Sequence, residues 1–156
     1  MPGSSPPLTN RLAAATVIGL VFAGGLVVAT PAQAAVFTCA GEPATIVASG
    51  GGTTRGTAGP DVIVTFDRVD VIWGRGGDDL ICSGGGGDLV RGEDGNDIIY
   101  SEDGFDEVSG GTGDDTMVGG PGNDKLWGNG GTNVADGGPG SDQCTLSRIK
   151  LNCERT

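Results

Sequence analysis

An aspartate or asparagine returns every nine residues through most of this chain, at Asp61, Asp70, Asp79, Asp88, Asp97, Asp106, Asp115, Asp124, Asn133 and Asp142. Carboxylates at a fixed spacing can pass protons in pairs or hold a hard divalent cation. The residues around them favour the second use. Gly-rich stretches such as Gly110 to Gly113 and Gly119 to Gly122 precede the acids, and flexible turns of this kind let main-chain carbonyl oxygens converge where a carboxylate supplies charge. Proton transfer finds little support. The chain has no His, and no G-x-S-x-G, H-E-x-x-H or P-loop pattern occurs in it. Adjacent acids such as Asp78 and Asp79, or Asp114 and Asp115, point apart on a turn and make a poor glycosidase dyad. No catalytic residue is expected, and the chain is read as a non-enzyme.

The elements that must position these acids follow from the same period. From Gly56 to Thr145 the chain is ten consecutive nine-residue units without insertion or deletion. Two places after each acid stands an apolar residue: Ile63, Ile72, Ile81, Val90, Ile99, Val108, Met117, Leu126, Ala135 and Cys144. Each unit therefore reads as a Gly-rich turn followed by a very short strand. A strand of about three residues cannot stand alone, so successive units must stack as a solenoid. Two units make one coil with a strand on each of two opposed parallel sheets, and ten units give about five coils. Alternation sends the eighth-place residues inward. The odd units then show Val62, Val64, Leu80, Cys82, Ile98 and Tyr100 on an outer face too apolar to stay bare. The segment from Val36 to Thr54 is the expected cover, with the surroundings of Tyr100 as a partner surface in the alternative.

Units such as GGTGDDTMV (110–118) and GGPGNDKLW (119–127) match the G-G-x-G-x-D-x-U-x nonapeptide, and the chain resembles the repeats-in-toxin, or haemolysin-type calcium-binding, family. The resemblance implies a parallel β-roll in which Ca²⁺ lies between adjacent turns of one edge, held by sixth-place carboxylates and turn carbonyls. Calcium also suits the residues themselves, since it takes six to eight oxygen ligands, and zinc, copper and iron lack His and free Cys here. Units of equal parity share an edge. The expected ligands are Asp61, Asp79, Asp97 and Asp115 on one edge and Asp88, Asp106, Asp124 and Asp142 on the other, giving about six sites. Two units depart from the motif: 65–70 lacks Gly before Asp70, and Asn133 replaces a carboxylate by an amide. Clustered acids without metal would repel one another, so a chain that folds on binding calcium is expected. The toxins themselves carry large effector domains. This chain looks more like the short exported calcium-binding repeat proteins of actinobacteria, and cytolysis is not expected of it.

Residues 1–34 read as a Sec-type signal peptide: Arg11, an apolar stretch from Leu12 to Ala29, then Ala32, Gln33 and Ala34. An uncleaved anchor is the other reading, which Gly24, Gly25 and Pro31 disfavour; an extracellular protein with no stable membrane anchor is expected. Residues 35–55 are read as an N-terminal cap, 56–145 as the repeats and 146–156 as a C-terminal cap. Without residues 1–34 the chain has 8 basic against 20 acidic side chains, and a net charge of −12 excludes nucleic acid and attracts cations. Four cysteines in an exported chain imply disulfides. Of three pairings, Cys39 with Cys82 and Cys144 with Cys153 would tie each end to the repeats. A calcium-stabilised adhesin or matrix module is the alternative function; a protein or glycan partner is not specified by the sequence.

Overall fold

A computed structural model describes residues 37–145 and 149–154; the expected leader over 1–34 lies outside them. All regular structure among the described residues is β. A hairpin of β1 (Thr38–Cys39) and β2 (Glu42–Pro43) precedes a parallel solenoid. One sheet has seven strands: β3 (Ile46–Val47), β5 (Val62–Val64), β7 (Leu80–Cys82), β9 (Ile98–Tyr100), β11 (Thr116–Val118), β13 (Val134–Asp136) and β15 (Ile149–Leu151). The other has six: β4 (Gly52–Arg55), β6 (Asp70–Gly76), β8 (Leu89–Asp94), β10 (Glu107–Thr112), β12 (Lys125–Asn129) and β14 (Gln143–Thr145). Within the repeats each residue pairs with the one 18 positions on, as Leu80 with Ile98 and Val90 with Val108. Seven strands at about 4.8 Å make a stack roughly 29 Å long.

The eighth place fills the interior. Ile63, Ile72, Ile81, Val90, Ile99, Val108, Met117, Leu126 and Ala135 are wholly buried, and Ile46 and Cys144 extend the same cluster at either end. Two sheets thus share one narrow apolar column, and each coil is held mainly by its two neighbours.

The solenoid is longer than the nonapeptide region. Ile46 and Val47 pair with Ile63 and Val64, and Gly52 to Arg55 pair with Asp70 to Trp73, so the segment expected to act only as a cap forms a further coil. Ile149 to Leu151 add a strand after β13 at the other end. There are thus about six turns rather than five. Strands β6, β8, β10 and β12 of the six-stranded sheet are also longer than three residues. They run on into the next unit, whose second place adopts a left-handed conformation at Arg75 (φ 85°) and Glu93 (φ 77°). That bend turns the chain into the following loop.

The outer face of the seven-stranded sheet is covered at its N-terminal end. Cys39 and Ala44 of the hairpin segment pack on Val64 and Cys82, with Phe37, Phe66, Leu80 and Tyr100 around them. The rings of Phe37 and Phe66 meet edge to face at 5.2 Å. Cys39 is bonded to Cys82 across 43 residues, and Cys144 to Cys153 across 9. No described helix is long and apolar enough to cross a membrane.

Candidate metal centre

The sixth-place side chains line the two edges where the sheets meet, and all ten are buried. Their burial has a structural basis. Each main-chain carbonyl at this place accepts the seventh-place N–H of the next coil, as Asp79 O does from Ile98 N at 2.8 Å. From Asp79 and Asp88 onward, each side chain accepts the sixth-place N–H of the preceding coil. Asp61 N donates to Asp79 Oδ1 at 2.9 Å, Asp79 N to Asp97 Oδ1 at 2.9 Å, Asp97 N to Asp115 Oδ1 at 3.0 Å and Asp115 N to Asn133 Oδ1 at 2.8 Å. On the other edge Asp70, Asp88, Asp106 and Asp124 donate in turn to Asp88, Asp106, Asp124 and Asp142 at 2.8 to 2.9 Å. Asp79, Asp88, Asp97, Asp106, Asp115 and Asp124 therefore each lock their coil to both neighbours. This role requires one oxygen and no charge, and Asn133 fulfils it.

The second oxygen is a different matter. Oδ2 of Asp79, Asp88, Asp97, Asp106, Asp115, Asp124 and Asp142, with Oδ1 of Asp70, is buried without a hydrogen-bond partner. A buried carboxylate oxygen left unpaired is costly, and eight in one small domain far exceed the few unsatisfied groups usual for a chain of this size. Main-chain oxygens face them. A Cβ built on Gly119 would stand 2.5 Å from both Asp124 Oδ2 and the Gly137 carbonyl oxygen. On Gly92 it would collide with Asp97 Oδ2 and stand 2.5 Å from Gly110 O, and on Gly74 it would collide with Asp79 Oδ2 and stand 2.7 Å from Gly92 O. Asp115 Oδ2 beside Gly110, and Asp142 Oδ2 with Asn152 O beside Gly137, repeat the pattern. In these units the first-place glycine leaves open a space into which oxygens project. Oxygens brought together with no proton between them suit a hard cation.

No group of three or more His, Cys, Asp or Glu side chains gathers among the described residues. A cation at these edges would be held by one or two carboxylates with carbonyl oxygens completing its shell, a donor set that fits calcium and not zinc. The electrostatics agree. Burial, opposed by the N–H of Asp61 and reinforced by the charges of Asp97, Asp61 and Asp78, pushes the Asp79 carboxyl up to about 7. Burial likewise pushes Asp106 up to about 7 and Asp97 up to about 6, and it raises Asp70, Asp88, Asp115 and Asp124. These sites oppose negative charge until a counter-ion arrives.

The eight acids expected as ligands therefore fall out unevenly. Asp79, Asp88, Asp97, Asp106, Asp115, Asp124 and Asp142 each present an unpaired oxygen, but Asp61 does not: its Oδ2 accepts Thr57 N at 2.7 Å and Thr57 Oγ1 at 2.9 Å. Asp70, set apart because its unit lacks Gly, keeps an unpaired oxygen and stays in register with Asp88. At Asn133 the amide Nδ2 donates to Gly130 O at 2.7 Å and closes its own turn.

Sequence reasoning missed the hydroxyls of the first place. Thr65 Oγ1 donates to Ser83 O at 2.6 Å, Ser83 Oγ to Ser101 O at 3.0 Å and Ser101 Oγ to Gly119 O at 2.9 Å. The signal was present in units that open with Thr or Ser instead of Gly. A second ladder at the fifth place was also missed. Asn96 N donates to Asp78 Oδ1 at 2.8 Å, Asp114 N to Asn96 Oδ1 at 2.9 Å and Thr132 N to Asp114 Oδ1 at 2.7 Å. Asp78 and Asp114 thus staple turns together on the exposed side, away from their buried neighbours Asp79 and Asp115.

Compared with known proteins, residues 55–90, 83–108 and 109–144 match a family model described as the RTX calcium-binding nonapeptide repeat (4 copies). No curated protein and no solved structure matches the chain.

Proposed function

We propose, for a chain that belongs to the RTX calcium-binding nonapeptide repeat family, that it is an extracellular calcium-binding module whose fold is completed by the ions it takes up. The observation that carries this reading is the row of buried, unpaired carboxylate oxygens facing main-chain carbonyls along both edges. The ligands would be drawn from the acids with an unpaired buried oxygen, foremost those whose unit opens with Gly: Asp79, Asp97 and Asp115 on one edge and Asp124 and Asp142 on the other, joined by carbonyls such as Gly92 O and Gly137 O. Calcium supplies positive charge where the protein places oxygens alone. The affinity for the folded state then becomes folding free energy, because unfolded Gly-rich chain offers no such site.

The role is one of binding, not catalysis: the buried acids are committed to coil-to-coil hydrogen bonds through one oxygen. Export through the leader at 1–34 is part of the proposal, since an outside compartment provides both millimolar calcium and the conditions in which Cys39–Cys82 and Cys144–Cys153 persist. Calorimetric titration of the chain with Ca²⁺ tests the reading. Saturable heat with a Kd of about 10⁻⁴ to 10⁻³ M is expected, as for extracellular modules, and Mg²⁺ at the same concentration should fail to replace it. Absence of calcium binding would refute the reading.

A further inference from the structure

We infer that the acids along the two edges form two classes, and that the three opened by Thr65, Ser83 and Ser101 hold no calcium because a protein hydroxyl already occupies the place of the ion. This rests on the calcium reading above and assigns it to particular turns. Where the first place is Gly, the space beside its Cα is bounded by the acid of the same unit and by the first-place carbonyl of the next coil on that edge, as at Gly74, Gly92 and Gly119. A side chain there would fill that space. In three consecutive units of the second edge a side chain does. Thr65, Ser83 and Ser101 are buried, and each hydroxyl reaches across one coil to the carbonyl of the next first-place residue at 2.6, 3.0 and 2.9 Å.

The chemistry of the two arrangements is opposed. A carbonyl facing a carboxylate has only acceptors around it and needs a cation. A carbonyl that receives a hydroxyl proton is already satisfied, and the Cβ and Oγ beside it leave little room for an ion with six to eight oxygen ligands. The hydroxyl has one proton, and the short contacts place it on the carbonyl. Asp70, Asp88 and Asp106 therefore face a neutral protein ladder, whereas Asp79, Asp97, Asp124 and Asp142 face open oxygen pairs and Asp115 Oδ2 stands beside the open first place at Gly110. The hydroxyl ladder runs through the turns that precede β6, β8 and β10, so that stretch of the second edge is joined without metal while the other edge and the C-terminal coils depend on it. Asp61 closes the first odd turn in the same spirit through Thr57.

Equilibrium dialysis of the full chain with radiolabelled calcium, with strand content followed by circular dichroism on the same samples, tests the assignment. The wild type should take up about five ions, one for each unpaired acid beside a first-place glycine. Ser83→Gly/Ser101→Gly should take up about two more, because both places are opened. Gly92→Ser introduces the hydroxyl on the other edge and should take up about one fewer with strand content retained. An uptake near eight by the wild type, or an unchanged uptake in Gly92→Ser, would overturn the assignment while leaving calcium binding intact. If the double variant fails to fold, the Gly92→Ser arm alone decides. No uptake by the wild type would overturn the calcium reading and this inference with it.

Discussion

The interior and the edges of this solenoid are built on one period yet differ in what completes them. Along the axis, Ile63, Ile81, Ile99 and Met117 from one sheet meet Ile72, Val90, Val108 and Leu126 from the other, and every one is wholly buried. That column is finished by the protein alone. Along the edges, the sixth-place acids are buried as deeply, but eight of them keep an oxygen with no partner. The column is apolar and thin, one side chain per nine residues, and it must stabilise backbone that is very rich in glycine. Burying such a side chain is worth about 1.5 to 3 kcal/mol, whereas ordering each residue costs about 1 to 2 kcal/mol of backbone entropy. The interior column is thin for the amount of backbone it must order. The difference teaches that the same repeat supplies a frame and a row of unpaired oxygens, which on the proposed reading calcium from solution would complete.

Substitutions on the two columns should separate these roles, the largest effect falling on the interior. Ile99→Ala removes a wholly buried side chain and should cost about 2 to 5 kcal/mol in denaturant unfolding of the calcium-loaded chain, without changing the number of ions bound. A changed stoichiometry would break the distinction. Asp97→Asn keeps the Oδ1 that accepts Asp79 N–H and discards the charge of the unpaired Oδ2. It should bind one ion fewer and lose about 1 to 3 kcal/mol of stability in calcium, yet hold more residual structure than the wild type in chelator, because a buried unpaired charge is gone. If both variants lose the same stability in calcium and in chelator, edge and interior do not differ.

The smallest effect is that of pH on the metal-free chain. Asp79 and Asp106 are pushed up to about 7 and Asp97 to about 6 by burial, so between an unfolded value near 3.9 and these values the folded state binds more protons than the unfolded one. Stability of the metal-free fold therefore falls as pH rises through this window. In calcium-free buffer, strand content should be greater at pH 4.5 than at pH 7.5. In calcium the order should reverse, since protons compete for the carboxylates.

Much of this architecture was legible because it is periodic. The fixed step from acid to apolar residue located both the row of acids and the core, and the recurrence of Gly marked the turns between the short strands. What was hidden breaks the period. The coil before Gly56 pairs Ile46 with Ile63 at an offset of 17 and carries no acid, and the last strand pairs Val134 with Ile149 at an offset of 15. Neither leaves a nonapeptide trace. Asp61 shows a different obstacle. Its unit fits the motif, but Thr57 at the second place takes its free oxygen, an exchange visible only once the turn is folded. The hydroxyls of Thr65, Ser83 and Ser101 stood openly at the first place; their reach to the next coil depends on strand register, which no single unit specifies.

The central claim is that calcium and fold are coupled, and far-UV circular dichroism of the full chain at pH 7.5, with disulfides intact, tests it most directly. In excess chelator the spectrum should be that of a largely disordered chain, and millimolar Ca²⁺ should restore strand signal cooperatively, with a midpoint that follows the calorimetric affinity. Identical strand spectra in chelator and in calcium would contradict the account.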